Sequence, residues 1–186
     1  IETDRFNNQI KNRISGINKN IYIDLKKIKF NLDPINLKIF AKTVGTTVYI
    51  SNKPLALESI KTQVSLISLI KNKISSSNIE VSTRSIMLND LIKFIRVTNN
   101  RSELFILEKI IKKGQIILDL GLNFDENGNI KDDYEIIGSI KDANINFLNK
   151  AKFNDLNFNF NINKNNYFLN EINFKFEKIN FISKKI

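Results

Sequence analysis

Cysteine and histidine are both absent from this 186-residue sequence, and the two absences together remove a great deal of chemistry. No disulfide can form and no thiolate nucleophile exists. The usual zinc ligands, the Cys-His and Ser-His nucleophilic pairs and the commonest general base near neutral pH are missing as well. The lack of cysteine leaves the compartment open, because a periplasmic protein can also do without it. Glycine and proline number only 6 and 2, too few for a collagen-like or linker-like chain. No apolar run approaches the ~20 residues that a membrane-spanning helix needs, and no signal peptide is visible.

What is present suits a folded domain: 42% of the residues are hydrophobic. Asparagine is abundant, above all after Asn144, so amides fill polar positions as often as charges do. Lysine outnumbers arginine and isoleucine outnumbers valine, the mark of an AT-rich genome. With 29 Lys and Arg against 19 Asp and Glu the net charge is +10. Such an excess can serve nucleic acid, an anionic membrane surface or solubility. The lysines are spread along the chain with no dense run beyond Lys26-Lys27 and its neighbours, which fits a solvated face. The sequence begins at Ile1 without methionine and ends at Ile186 inside an alternating pattern. It therefore reads as a single fragment, 1–186, of something longer, with any anchor or export signal upstream.

From Ile21 the apolar residues step by two. Ile21, Ile23 and Leu25 are followed, after an extra residue at Lys26-Lys27, by Ile28, Phe30 and Leu32, which predicts a strand, a bulge and more strand. Asp33-Pro34 supplies a turn, and Ile35, Leu37 and Ile39 resume the alternation. Val48 and Ile50 lead to a second turn at Asn52-Lys53-Pro54, after which come Leu55 and Leu57. Ile60 to Ile70 and Ile79 to Leu88 repeat the design around a loop at Ser75-Ser76-Ser77-Asn78. Strands thus fill about 17–87.

The period changes at Leu88. Leu88, Leu91, Ile92 and Ile95 form the stripe of a short helix. A second helix is signalled by Asn100 with Glu103 as a capping arrangement, by Leu104, Leu107 and Ile111 as its stripe, and by Lys109, Lys112 and Lys113 near its end, with Gly114 at the left-handed C′ position. The helix pair covers about 88–113, and strands resume over about 115–183. Ile116, Leu118, Leu120, Leu122 and Phe124 alternate up to Asp125-Glu126-Asn127-Gly128-Asn129, where Asn-Gly marks a hairpin. Tyr134, Ile136, Gly138 and Ile140, then Ala143, Ile145 and Phe147, form the return. Leu156, Phe158, Phe160 and Ile162 follow, Lys164-Asn165-Asn166 turns the chain, and Ile172, Phe174 and Phe176 complete roughly ten strands of a mainly β fold.

No residue emerges as catalytic, metal-binding or cofactor-binding. Asp125, Glu126, Asp132 and Asp133 around Gly128 lack the spacing of a calcium loop and read as a solvated hairpin tip. Ser82, Thr83 and Ser85 have no basic partner. Asp142 marks a bend between strands or a surface salt bridge. Late aromatics alternate with lysine and asparagine, but they lie on the opposite face, so base stacking and phosphate contact would not coincide and nucleic acid is not expected.

Strict alternation over so many strands makes one face apolar and the other polar. Short connections and scarce glycine argue that each strand pairs with the next, so the sheet is a long antiparallel meander that closes, seals its core or leaves a groove. Periodicity alone does not choose between sealed core and open groove. An open groove of isoleucine, leucine and phenylalanine would call for a greasy ligand, and acyl chains are the natural candidate.

The order of elements carries a resemblance. Alternating strands, a helix pair with Asn89-Asp90-Leu91 and Leu104-Phe105-Ile106-Leu107-Glu108-Lys109, a strand opening Lys113-Gly114-Gln115-Ile116, and Gly138-Ser139-Ile140-Lys141-Asp142-Ala143-Asn144-Ile145 resemble the bacterial AsmA-like family over roughly 21–181. The likeness is strongest to the AsmA-like domain of YhdP-type proteins and more distant to TamB. It implies a mainly β meander curled into a U-shaped periplasmic groove, tethered to the inner membrane by a segment outside this fragment. Phospholipid would pass between inner and outer membrane with its acyl chains shielded, without catalysis or cofactor, in the service of outer-membrane lipid homeostasis. Partners would be phospholipid acyl chains, the membrane through that anchor, and envelope proteins of unknown identity. The groove would be lined by Ile116, Leu118, Leu120, Leu122, Phe124, Ile136, Ile140, Leu156, Phe158, Phe160, Ile172, Phe174 and Phe176. The alternative is a structural or protein-interaction β-domain with a sealed core and no lipid cargo.

Overall fold

The computed structural model describes residues 2–4, 7–8, 11–12, 20–67, 78–98, 101–125, 130–147 and 151–185. The strands are β1 (Glu2–Thr3), β2 (Ile21–Asp24), β3 (Ile28–Asp33), β4 (Lys38–Val44), β5 (Thr47–Ile50), β6 (Lys53–Ser65), β7 (Asn78–Thr83) and β8 (Ile86–Met87), then β9 (Ile111–Asn123), β10 (Glu135–Phe147), β11 (Ala151–Asn163), β12 (Tyr167–Phe176) and β13 (Ile179–Lys185). Two helices, α1 (Leu88–Thr98) and α2 (Ser102–Ile110), interrupt them. Among the described residues the thirteen strands form one antiparallel sheet that does not close, with the order β1-β3-β4-β6-β7-β9-β10-β11-β12-β13. The chain is a mainly β meander curled into a groove, with the helix pair where the 3.6-residue period places it.

Three strands lie off that order, and each is half of a broken pass. β2 pairs with β5 and β3 with β4, so 21–33 and 38–50 are the two arms of one long hairpin, kinked at 25–27 and opposite at 45–46. The bulge expected at Lys26-Lys27 is thus a larger break, in which three residues leave the ladder. The cause is the phase of the apolar residues: Ile23, Leu25 and Ile28 are all buried together, which uninterrupted alternation cannot achieve. The side-chain amide of Asn7 donates to the carbonyls of Leu25 (3.2 Å) and Lys26 (2.9 Å), serving groups that the break releases. Across from it Gly45 takes φ +68°, and the hydroxyls of Thr43 and Thr46 lie 3.2 Å apart in the interior. β8 likewise continues β7 beyond 84–85 and pairs with β9.

The turns depart from expectation in detail. Ile35 and Leu37 do not resume a strand: they sit in a turn that spans 34–37, where the Asp33 carboxylate accepts hydrogen bonds from the backbone of Ile35 (3.1 Å) and Asn36 (3.0 Å) and from the Asn36 side chain (2.8 Å). The second turn is Ser51-Asn52, at φ +46° and +66°, the two positive angles of a two-residue hairpin. Lys53 and Pro54 already belong to β6, opposite Ile50 and Tyr49. Ser75, Ser76, Ser77, Asn100 and the tip Glu126-Asn127-Gly128-Asn129 lie outside the described residues. The isolated bridge of Phe124 with Ile130 brackets that tip.

Helix α2 passes directly into β9. Ile110 and Ile111 are both buried, and the backbone turns extended at Ile111, so Lys112 and Lys113 are strand residues. Gly114 is therefore not a helix cap. It lies within β9 at φ +143°, where an added Cβ would stand 2.9 Å from the Cβ of Ala143. Close approach of β9 and β10 is what calls for glycine here.

The long C-terminal strands carry a crease. Asp142, Asp155 and Glu171 all adopt φ near +50°, one in each of β10, β11 and β12. Between the pairs Ile140↔Phe158 and Ala143↔Leu156 β10 holds an extra residue. Between Ala143↔Leu156 and Ile145↔Phe153 β11 holds the extra one, so the register recovers. The same exchange recurs between β11 and β12. Asparagine side chains satisfy the amides set free: Asn157 Oδ1 accepts from the N–H of Asp142 (3.0 Å) and Asn144 Oδ1 from that of Asp155 (3.1 Å). Asp142 marks a bulge inside one strand and not a bend between two.

Candidate apolar groove

Because paired strands align their side chains, the apolar face consists of rows that run across the sheet. Ile28, Thr43, Ile60, Val81, Leu120, Ile136, Ile162 and Tyr167 are successive neighbours from β3 to β12. Beside them Phe30, Ala41, Thr62, Ile79 and Leu122 form a second row, and Leu32, Ile39 and Val64 a third. The opposite face is polar, with Lys61 paired to Glu80 (3.2 Å) and amide contacts Asn157–Asn173 (3.0 Å) and Asn159–Glu171 (2.7 Å) between neighbouring strands.

Where the sheet curls at the break in the first hairpin, its apolar face encloses a groove of about 660 Å³, within the ~300–1,000 Å³ of small-molecule sites. Its walls are mainly aliphatic: Ile23, Leu25, Ile28 and Phe30 come from β2, β3 and the break between them, Ile39, Ala41 and Val48 from β4 and β5, and Leu55, Leu57, Ile60, Val64, Ile79 and Val81 from β6 and β7. Phe94 of α1 also lines it. Thr43 and Thr62 are the polar members; Lys42 borders the groove from between Ala41 and Thr43 but belongs to the Lys29–Lys42–Lys61 row of the opposite face. Such a surface offers van der Waals contact along its length, with no pair of titrating groups for proton transfer.

The thirteen residues expected to line a groove all lie on strands or strand ends of the C-terminal half, and none lines this cavity. Ile116, Phe160 and Ile172 are buried. Ile116 and Phe160 form a sealed cluster with Leu88, Leu91 and Ile92 of α1, Ile110, Ile111 and Ala143, against which Leu118, Ile136, Ile140, Leu156 and Phe158 pack. Leu120 and Leu122 continue the rows. Phe174 stacks on Phe181, with ring centres 5.0 Å apart, and Phe176 meets Phe153 at 5.2 Å. The groove side chains of the N-terminal half carry the same alternation, so period alone gave no reason to rank one half above the other. Phe94, three residues after Leu91 on the helical stripe, was findable by that spacing.

The remaining candidates have structural roles. The buried hydroxyl of Thr83 accepts from the N–H of Leu118 (2.9 Å), and Ser85 donates to Gln115 (3.1 Å). Asp132 forms an ion pair with Lys164. Among the described residues no group of three or more carboxylates is arranged around a common point to hold a metal. The Asn36 side chain, then its backbone N–H, holds the Asp33 carboxyl below the ordinary aspartate range, an effect of the turn.

Fold and site together define a class: an open, curled antiparallel sheet with one largely apolar face, part of it covered by the helix pair and part left as a groove. Compared with known proteins, the chain matches no family profile, no curated protein and no solved structure.

Proposed function

We propose that this chain is a segment of a bacterial envelope protein that binds or conducts phospholipid along its apolar groove, in the manner of the AsmA-like family it resembles. The observation that supports this reading is the groove itself. Aliphatic rows lead into an open cavity, and residues such as Ile60, Ile79 and Val81 stay half-buried where a sealed core would cover them. Acyl chains match a surface of that length and chemistry, while head groups would remain in water. On this reading the chain is periplasmic and tethered to the inner membrane through a segment outside the fragment.

A second reading has its own observation. The cluster around Phe160 is closed by the helix pair, as a structural β-domain with no cargo requires. The two separate on substitutions. In protein purified from membranes in mild detergent, phospholipid should co-purify by mass spectrometry. Val81→Asp should abolish that lipid while the far-ultraviolet circular dichroism of the sheet persists, whereas Phe160→Asp should unfold the domain. Absence of bound phospholipid from the unmodified protein, or unfolding by Val81→Asp, sinks the lipid reading.

A further inference from the structure

Helix α2 turns to solvent a surface that its sequence would be expected to bury. Of its nine residues Leu104, Phe105, Ile106, Leu107 and Ile110 are apolar, and Ile110 alone is buried. Phe105 and Ile106 are 51% and 52% exposed, and Leu107 is 39% exposed. Successive helical residues are ~100° apart, so three consecutive exposed side chains spread apolar surface over ~200° of the circumference. A helix that serves only a protein core keeps a single apolar stripe inward and polar residues outward, whereas one apolar most of the way round belongs in an apolar medium on more than one side.

Cations border this surface. The Arg96 guanidinium, ion-paired with Glu108, lies 5.7 Å from the centre of the Phe105 ring, and the Lys109 ammonium lies 5.4 Å from it. Arg101 precedes the helix and Lys112 follows it, both exposed. Glu103 and the paired Glu108 lie on the same helix, so the rim is net positive, with Arg96, Arg101, Lys109 and Lys112 against two carboxylates. Exposed apolar side chains within such a rim match the boundary of an anionic bilayer, where the apolar groups enter between the head groups and the cations meet phosphates. We propose that α2 is a membrane-docking element that seats Phe105, Ile106 and Leu107 in the interfacial layer of an anionic lipid surface. The contact is separate from the groove and holds whether or not the groove carries acyl chains.

Flotation of the 186-residue chain with phosphatidylcholine vesicles, with and without phosphatidylglycerol, tests this. Binding is expected on the phosphatidylglycerol vesicles, about ten-fold weaker on phosphatidylcholine alone or in high salt. The double variant Phe105→Ser/Ile106→Ser should bind about ten-fold more weakly with unchanged circular dichroism, since both side chains are exposed. Ile182→Ser, on β13 and more exposed still, should float like the unmodified chain. Failure to bind phosphatidylglycerol vesicles overturns the proposal, as does full binding by the double variant. A dimer in sedimentation that the double variant splits would also overturn it, by giving the face to a second copy. Mass spectrometry of co-purified phospholipid on the same samples reads the groove alone, so the two questions stay apart.

Discussion

At Gly138 three strands meet on a single hydrogen atom. Its neighbours in the row are Leu118 and Phe160, and an added Cβ would fall 2.5 Å from both the Ile117 carbonyl oxygen and the Cζ of Phe160. The ring of Phe160 covers the space where a side chain would be, so aromatic and glycine act as a pair. Gly138→Val should lower stability by about 1–3 kcal/mol through overpacking, read as a lower urea midpoint with unchanged slope. Asp33 is a second local device. Its carboxyl is held low by Asn36, so its contribution is fully present above the pKa of the unfolded chain and is lost as pH falls through the lowered folded value. Nuclear magnetic resonance titration should place Asp33 below ordinary aspartates, and Asn36→Ala should return it toward them; an unchanged midpoint in that variant would show the wrong cause. The Asp33-Pro34 turn was legible from residue types alone. The role of Gly138 was not, because strand alternation says which face a residue occupies and not which ring lies on it.

Among the elements the crease shows how much phase information the sequence holds. Ile136, Gly138 and Ile140 are followed by Ala143 and Ile145, an odd step that can keep both sets on one face only if a residue is extruded, as happens at Asp142. Leu169 and Ile172 report the same at Glu171. Asn157→Ala removes the acceptor for the Asp142 N–H and the donor to the Asp155 carbonyl and to Asn173. It should cost about 1–2 kcal/mol and speed hydrogen exchange at the Asp142 amide; exchange unchanged there would mean that water replaces the amide at no loss. The helices were readable from their stripes. Their boundary was not, because a lysine-rich stretch before glycine resembles a helix end, and only the burial of Ile110 and Ile111 together draws the chain into β9 at once. Leu91→Ala should lose about 2–4 kcal/mol, since its side chain joins α1 to the sealed cluster. A smaller loss, by urea denaturation, would show the helix pair to be a loose cover.

Over the whole molecule the alternating face was visible in the sequence, while the distribution of cover on it was not. Cover depends on where α1 lands and where the first hairpin breaks, and both are set by contacts far apart in the chain. On the outer side of β13 no strand lies among the described residues, and Ile182 there is 83% exposed. Edges of this kind invite pairing with another chain, so Ile182→Lys should reduce concentration-dependent light scattering without changing stability. The crease also sets the parity of each strand. Along β10 the inward residues are even-numbered as far as Ile140 and odd from Ala143; along β11 they are odd at Phe153 and even from Leu156; along β12 they are odd at Leu169 and even from Ile172. Each strand therefore changes parity once, beside its neighbour's change. Insertions or deletions elsewhere in these strands keep inside and outside distinct only when they come in twos. Removing Asp142 alone would leave one residue between Ile140 and Ala143, so both would stay inward and only the bulge would vanish, whereas removing Asn144 alone would carry Ile145 to water and Asn146 toward the helix-capped interior, turning the end of the strand inside out by arithmetic alone.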